Sequence, residues 1–197
     1  MVIEKMEINN LQKIKLEQYV DLLLKWNSKI NLIGKSTVDD IWNRHIVDCA
    51  QLIKFLNDKD KENCVCADFG SGAGLPGIVL SILGIKNMNL IEKSPLKCKF
   101  LKEAALISDN KINIINKNIF DINDHKFDII FSRALANLND LLTMTKSFLK
   151  ENSICYFLKG KKVTEELSEA KKNFSFEYSL TDSMTSNEGK IITIKFK

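Results

Sequence analysis

The sequence predicts an α/β protein in which a Rossmann-like sheet of seven strands, the last one antiparallel, follows an N-terminal helical extension. Three observations lead to this fold class. The first sixty residues have helical periodicity, short apolar runs alternate with helical stretches from residue 64, and the last two runs have no helix between them. Alternation of this kind is typical of a parallel sheet covered by helices, whereas two directly joined strands form an antiparallel hairpin.

Two apolar stripes indicate the helices of the extension. The first stripe, at helical spacing, consists of Leu16, Tyr19, Val20, Leu23 and Trp26. The second keeps one face apolar over residues 38–56, and Ser36 or Thr37 is expected to cap the start of that helix. Arg44 and Asp48 stand four residues apart on its flank, so we expect them to pair.

The strands are predicted from apolar runs rich in β-branched residues. Five such runs are expected to be parallel strands, at 64–69, 88–92, 112–117, 127–132 and 152–158. The helical stretches lie at 76–84, 95–107, 137–149 and 162–173, and the terminal hairpin is predicted at 174–180 and 190–196. We therefore divide the chain into a helical extension at 1–60 and a sheet domain at 61–197.

Composition argues against several classes of protein. The 197 residues are 45% hydrophobic and 27% charged, as is usual for a globular protein, and no apolar run is long enough for a membrane span. The first ten residues lack the apolar segment of a secretory signal. Five cysteines at irregular spacing match neither a disulfide framework nor a metal site, so we expect free thiols, a cytoplasmic location and no metal.

The positive charge is carried almost entirely by lysine. The formal net charge is +4, from 29 basic and 25 acidic residues, which is compatible with a polyanionic partner. Only two of the basic residues are arginines, Arg44 and Arg133. Because only arginine offers a planar, bidentate fork of donors, these two positions are candidates for recognising a specific chemical group.

A glycine-rich segment follows the first predicted strand. Four of the eight glycines lie at 70–77, in the sequence Gly-Ser-Gly-Ala-Gly-Leu-Pro-Gly. Glycine lets a ligand approach bare backbone, and the helix that follows offers free N–H groups at its start. Gly72 to Gly77, with Glu92 twenty residues after Gly72, satisfies the dinucleotide fingerprint and its ribose-binding acid. The pattern predicts a nucleotide-like ligand, either NAD or S-adenosylmethionine.

Two features favour S-adenosylmethionine. Asp68 comes just before the glycines, where an acid can reach the ammonium of the donor's amino-acid group, which NAD lacks. The seven predicted strands also leave no room in the chain for the second catalytic domain of a dehydrogenase.

Several segments together resemble a known family. The loop Asp-Phe-Gly-Ser-Gly-Ala-Gly-Leu-Pro-Gly at 68–77 is joined by Arg-His-Ile-Val-Asp at 44–48, Glu-Lys-Ser at 92–94 and Ser-Arg-Ala at 132–134. In these segments the chain closely resembles the glucose-inhibited division protein B family, the 16S rRNA guanine-N7 methyltransferases. The resemblance implies a class I S-adenosylmethionine-dependent methyltransferase fold with an N-terminal helical extension. It also implies methylation of a guanine in the 530 loop of small-subunit rRNA.

The resemblance and the fingerprint together imply a donor site formed by Asp68, Gly70, Gly72, Gly74, Leu75, Glu92, Ile119, Phe120 and Arg133. Within it, Glu92 is expected at the ribose and Arg133 is expected to close the site. Ile119 and Phe120 are expected beside the adenine, with packing under a helix as the alternative. Relatives often carry Ala-Glu at these two positions. Both residues are apolar here, which leaves the adenine amino group to Asp121 or to backbone.

The expected chemistry needs no general base, because guanine N7 has a lone pair and no proton. Alignment in a desolvated pocket is sufficient, and Arg133 is the catalytic candidate, able to bind the guanine O6 edge or a phosphate. The expected RNA-binding residues are Arg44, His45, Lys93, Lys97 and Lys159. His45 also lies on the second apolar stripe, so a buried histidine with satisfied bonds is the alternative for that residue.

The implied partner is 16S rRNA or the small ribosomal subunit, and we expect a monomer with no membrane contact. Two other functions stay open at this level. An NAD-dependent oxidoreductase would also use the glycine fingerprint, whereas a non-enzymatic RNA-binding module would leave the glycine loop empty. Titration with S-adenosylmethionine and with NADH separates all three.

Overall fold

The computed structural model describes residues 8–196 and forms one seven-stranded sheet, so the predicted fold class is confirmed. The strands in chain order are β1 Val65–Phe69, β2 Asn87–Ile91, β3 Lys111–Ile115, β4 Phe127–Arg133, β5 Leu149–Lys159, β6 Phe176–Asp182 and β7 Lys190–Phe196. In space their order is β3-β2-β1-β4-β5-β7-β6.

The pairing of the strands locates a crevice at one end of the sheet. β1 pairs in parallel with β2 and β4, and β2 and β4 continue the parallel part to β3 and β5. β7 lies antiparallel between β5 and β6, which confirms the predicted terminal hairpin. The order of the strands reverses between β1 and β4, and ligands of such sheets bind outside the carboxyl ends of the strands at this point.

The helices are α1 Asn10–Asn27, α2 Asp48–Ala50, α3 Asp58–Asn63, α4 Gly77–Ile82, α5 Pro95–Ala105, α6 Leu138–Thr145 and α7 Val163–Asn173. The four helices predicted between and after the strands all form, at slightly shorter lengths. α6 ends at Thr145 rather than at 149 because Leu149 already pairs with Phe127 at the start of β5.

The second apolar stripe does not form the continuous helix that its periodicity predicts. The short segments that replace it are a 3₁₀ turn at Lys35–Thr37, a π-helical segment at Trp42–Val47, α2, and a 3₁₀ segment at Gln51–Phe55. Its apolar face is nevertheless buried, since Ile46, Cys49 and Leu52 are all inaccessible to solvent. The expected helix cap by Ser36 or Thr37 is wrong, because the Thr37 hydroxyl donates to the Gly34 carbonyl at 2.7 Å instead.

The sheet separates two hydrophobic cores. Alternate residues of a strand point to opposite faces, so Cys66 of β1 belongs to the first core and Ala67 to the second. The first core contains residues of α1, of residues 41–56 and of α4 and α5, whereas the second contains residues of α6 and α7. The packing is therefore continuous across residue 60, and the division into 1–60 and 61–197 stays a prediction. Residues 1–7 and 197 of those two units lie outside the described range.

One hydrogen bond joins α1 directly to the segment after β1. Tyr19 is fully buried, and its hydroxyl donates to the Ala73 carbonyl at 2.5 Å. Ala73 lies in the middle of the glycine-rich segment, so the N-terminal helix supports that segment from beneath.

Within residues 8–196, no helix is both long enough and apolar enough to cross a membrane. The same residues contain no group of three or more histidine, cysteine or acidic side chains placed to hold a metal ion.

We predict that Tyr19→Phe lowers the free energy of unfolding by about 1–3 kcal/mol, because the buried Ala73 carbonyl loses its partner. The matched control is Tyr178→Phe, whose hydroxyl accepts a bond from Lys171 on the exposed surface and whose loss is expected to stay within about 0.5 kcal/mol. Urea denaturation measures both variants. Equal stability of the two variants would contradict a supporting role for the Tyr19 hydroxyl.

Candidate active site

The glycine-rich segment forms a tight loop at the carboxyl end of β1. The amides of Gly70 and Ser71 both donate to the Ile91 carbonyl at 3.0 Å, which fastens the loop to the end of β2. Gly70, Gly72 and Gly74 all have positive φ, a backbone region that residues with a side chain rarely adopt. The loop therefore needs glycines at these positions whether or not a ligand is bound.

Gly72 differs from the other loop glycines because its free side is open. A Cβ at Gly72 would meet no atom closer than the Gly70 carbonyl oxygen, at 3.7 Å. A Cβ at Gly70 would lie 2.5 Å from Leu135, and one at Gly74 would lie 2.5 Å from Ile78. The protein itself thus fills the space beside Gly70 and Gly74 and leaves the space beside Gly72 empty. Such open space beside a glycine is what a ligand needs in order to approach the backbone.

Glu92 lies directly against this open part of the loop. Its Oε2 accepts a hydrogen bond from the Gly72 amide at 3.0 Å, and its Oε1 accepts one from the Ser94 amide at 2.8 Å. The carboxylate is 7% exposed at the end of β2. The acid predicted to bind a ribose therefore meets the glycine predicted to approach the ligand.

Asp68 lies beneath the loop and is completely buried. Its Oδ2 accepts a hydrogen bond from the Gly77 amide at 3.0 Å, and its Oδ1 has no hydrogen-bond partner among residues 8–196. Burial raises the pKa of Asp68 to about 7, although the Gly77 amide, the Ser71 hydroxyl and the nearby Arg133 charge act in the opposite direction. The carboxyl thus holds the start of α4 with one oxygen and keeps a second acceptor free.

Three other residues of the expected donor site differ in how far their side chains are buried. Leu75 and Ile119 are 4% and 9% exposed, and their side chains pack in the first and the second core respectively. Phe120 is 65% exposed in the short turn after β3. Packing is thus the observed environment of Ile119, whereas Phe120 is available to a ligand.

Arg133 lies at the carboxyl end of β4 and bonds to the N-terminal segment. Its Nη1 donates to Asp48 Oδ2 and to the Arg44 carbonyl, both at 3.1 Å, and its Nη2 is 2.7 Å from His45 Nδ1. The expected pair between Arg44 and Asp48 is therefore wrong, because Asp48 turns inward to Arg133 and the Arg44 side chain remains exposed. The next residue, Ala134, has a φ of 55°, a strained value for alanine.

A cavity of about 600 Å³ opens beside Arg133. It lies between the N-terminal segment, the ends of β4 and β5, and the connection between β6 and β7, and its lining includes Arg44, Asp48, Lys162, Thr185 and Glu188. None of the loop glycines lines it. The cavity and the open face of Gly72 are thus two different spaces. Arg133 lines the cavity, and its charge also lowers the pKa of Asp68 beneath the loop.

The expected RNA-binding residues fall into two groups. Arg44 and Lys93 are exposed and Lys97 is half-buried, and none of their side chains makes a hydrogen bond or ion pair within the described residues. His45 is 8% exposed and uses both ring nitrogens, with Thr37 and with Arg133. The structure thus shows the alternative interpretation of His45, a buried histidine with satisfied bonds.

Lys159 belongs to the second group as well, since its side chain is only 8% exposed. Its Nζ donates to Glu166 Oε2 at 2.6 Å and to the Ala136 carbonyl at 2.8 Å. The same Glu166 oxygen accepts the Leu138 amide at 2.7 Å. This lysine therefore holds the segment between β4 and α6 in place instead of facing solvent.

Sequence reasoning missed Thr37, Asp48, Glu166 and Thr185 as part of this region. Asp48 and Arg133 are 85 residues apart in the chain, so no spacing pattern connects them. The available signal for Asp48 was its place in the segment 44–48, which carries the family resemblance.

Comparisons with known proteins agree with the geometry. The chain matches the family described as rRNA small subunit methyltransferase G over residues 12–194. The relative named Ribosomal RNA small subunit methyltransferase G from Orientia tsutsugamushi (strain Boryong) is 44% identical over 181 residues, covering 92% of this chain and 89% of the relative. The protein of the same name from Rickettsia bellii (strain OSU 85-389) is 42% identical over 180 residues, covering 91% of each chain.

A solved structure supports the fold alone. The ribosomal protein L11 methylase from Lactobacillus delbrueckii subsp. bulgaricus superposes with a TM-score of 0.63 at 23% identity, covering 76% of this chain and 77% of that one. The fold, the loop geometry and the match along nearly the whole chain confirm the resemblance that the sequence motifs indicate. The chain belongs to the rRNA small subunit methyltransferase G family.

Proposed function

We propose that this protein transfers a methyl group from S-adenosylmethionine to N7 of a guanine in the 530 loop of 16S rRNA. The observation that carries the proposal is the contact of Gly72 with Glu92, above a buried Asp68 oxygen that has no partner among residues 8–196, in a member of a methyltransferase family. Family membership favours this activity over the nicotinamide-dependent oxidoreductase and over an RNA-binding module without catalysis.

The residues present suit the donor. The open side of Gly72 is a cradle that even one added carbon would begin to fill. Glu92 offers a buried carboxylate, the acceptor that a ribose diol requires. Asp68 Oδ1 is a buried acceptor without a partner in the described chain, and an ammonium group is the kind of donor that satisfies it. Phe120 presents an exposed ring on which an adenine can stack.

The proposed chemistry requires alignment and no proton transfer. Bound S-adenosylmethionine would supply a methyl group on a positively charged sulfur, so that the guanine N7 lone pair bonds to the methyl carbon while the carbon–sulfur bond breaks and its electron pair stays on the sulfur, which leaves as a neutral thioether. In our assignment the target base enters the cavity beside Arg133, whose guanidinium donates to the guanine O6 edge or to a neighbouring phosphate. Arg44, Lys93 and Lys97 then contact the RNA backbone, because their cationic side chains are free.

We further propose that the protein acts as a cytoplasmic monomer on 16S rRNA or on the small ribosomal subunit. All five cysteines are free thiols, which supports a reducing compartment. The net charge of +4 supports a polyanionic partner.

We expect Gly72→Val to abolish donor binding, because its side chain would enter the open space above the loop. Isothermal titration with S-adenosylmethionine measures the effect. Gly84→Val is the matched control, since Gly84 also has positive φ and open surroundings but lies beyond the other end of α4. If a folded Gly72→Val variant binds the donor as tightly as the wild type, the donor site is elsewhere.

We expect Glu92→Ala to cost about 1.5–3 kcal/mol of donor affinity, the range for hydrogen bonds to a charged group. The loss should exceed that of Glu151→Ala, which removes an exposed carboxylate from β5, far from the loop. Calorimetry on both variants decides the point. A loss below about 0.5 kcal/mol at Glu92 would show that this carboxylate only fastens the loop.

We expect Arg133→Lys to slow single-turnover methyl transfer at least about tenfold, or about 1.4 kcal/mol in the barrier, with the fold intact. Lysine keeps the charge but loses the planar set of donors. Arg44→Lys is the comparison, and it should mainly weaken RNA binding while donor affinity stays the same. Wild-type turnover by Arg133→Lys would remove Arg133 from the proposed chemistry.

A further inference from the structure

His45 is held in one tautomer by its two partners. The Thr37 hydroxyl has a single proton, which it donates to the Gly34 carbonyl at 2.7 Å. Thr37 Oγ1 is also 2.7 Å from His45 Nε2, so at this contact it accepts, and Nε2 carries the proton. Nδ1 then has a free lone pair. Because a guanidinium offers only donors, that lone pair is what the Arg133 Nη2 contact at 2.7 Å requires.

Asp48 completes the surroundings of the guanidinium. Its Oδ2 accepts from Arg133 Nη1, while its Oδ1 accepts from Gln51 Nε2 at 3.0 Å and from the Thr185 hydroxyl at 2.8 Å. Thr185 lies in the connection between β6 and β7. The carboxylate is therefore fixed from two sides before it meets Arg133.

These contacts use three of the five N–H donors of Arg133. The two hydrogens of Nη1 go to Asp48 and to the Arg44 carbonyl, and one hydrogen of Nη2 goes to His45. Nε–H and the second Nη2 hydrogen have no partner among residues 8–196. The guanidinium is thus held along one part of its edge and keeps two donors for another molecule.

We infer that His45 and Asp48 are positioning residues for Arg133, which fix the plane of its guanidinium so that its two free donors point at the substrate. This inference rests on the proposed role of Arg133. It assigns to His45 an internal contact in place of the RNA contact that we expect from the sequence. A small misplacement of a catalytic group slows the reaction without weakening substrate binding, so the effect belongs in kcat.

The environment of His45 supports the neutral form that this arrangement needs. Burial and then the charge of Arg133 lower the pKa of His45 to about 4. The π-helical segment Trp42–Val47 contributes as well, because it presents the Arg44 carbonyl and the His45 ring to the same guanidinium. Such segments in proteins frequently occur at functional sites.

The tautomer can be read directly, without any activity measurement. The chain has only two histidines, so two-bond ¹H–¹⁵N correlation spectra of the ¹⁵N-histidine-labelled protein contain two ring systems, with exposed His125 as the internal reference. We expect His45 to be neutral at pH 7 with its proton on Nε2. A proton on Nδ1, or a charged ring, would overturn the inference, because Nδ1 could then not accept from Arg133.

Kinetics test the positioning role. His45→Asn keeps an acceptor close to the position of Nδ1, whereas His45→Leu removes it, and His125→Asn is the matched control. We expect His45→Leu and Asp48→Asn to lower kcat at least about tenfold with little change in KM for RNA, and His45→Asn to restore most of the rate. A normal kcat in His45→Leu, or a loss confined to KM, would contradict positioning.

The two proposals fail in different ways. If Arg133→Lys is impaired while His45→Leu and Asp48→Asn turn over normally, only the positioning role is wrong. If Arg133→Lys turns over like the wild type, the role of Arg133 is wrong and the positioning role fails with it, even where the spectra show the expected tautomer.

Discussion

The burial of the N-terminal helices against one face of the sheet is the constraint on which the rest of this structure depends. That face carries Cys66, Leu90 and Phe131, and α1 and residues 41–56 complete the core that it forms with α4 and α5. Without the extension, the apolar side chains of this core that α4 and α5 do not cover would be exposed to water. Because the extension must pack in this core, its polar side chains lie at fixed positions beside the ends of the strands. Tyr19 meets the glycine loop in this way, and His45 and Asp48 meet Arg133.

The charged side chains at the carboxyl ends of the strands are largely buried, and they form hydrogen bonds or ion pairs there. Glu92 accepts two backbone amides, Arg133 donates to three groups, and Lys159 is joined to Glu166. An ionised group without such partners would be strongly unfavourable in this environment. Asp68 Oδ1 is the exception among the described buried side-chain atoms, and it lies beneath the loop assigned to the donor. A fold that leaves one buried acceptor unpaired at this place is suited to a ligand that brings a donor.

Two spaces with different chemistry lie at the carboxyl ends of the strands. On one side are the glycine loop and two carboxylates, which suit a cationic, ribose-bearing donor. On the other side is the cavity lined by Arg44 and Lys162, which suits a nucleotide of an anionic polymer. The strained Ala134 and the Leu135 side chain beside Gly70 lie on the segment that follows Arg133.

The sequence by itself determined the sheet, its terminal hairpin and the glycine loop with Glu92, because strand periodicity, turn glycines and a twenty-residue spacing are local features. It also indicated the family through short motifs. The broken form of residues 35–55, the inward turn of Asp48 and the burial of Lys159 were decided only by the tertiary structure. Periodicity shows which face of a segment is apolar, and it does not show which polar group of a distant strand lies opposite. Arg133 meets Asp48 across 85 residues of chain, and only the folded sheet brings them together.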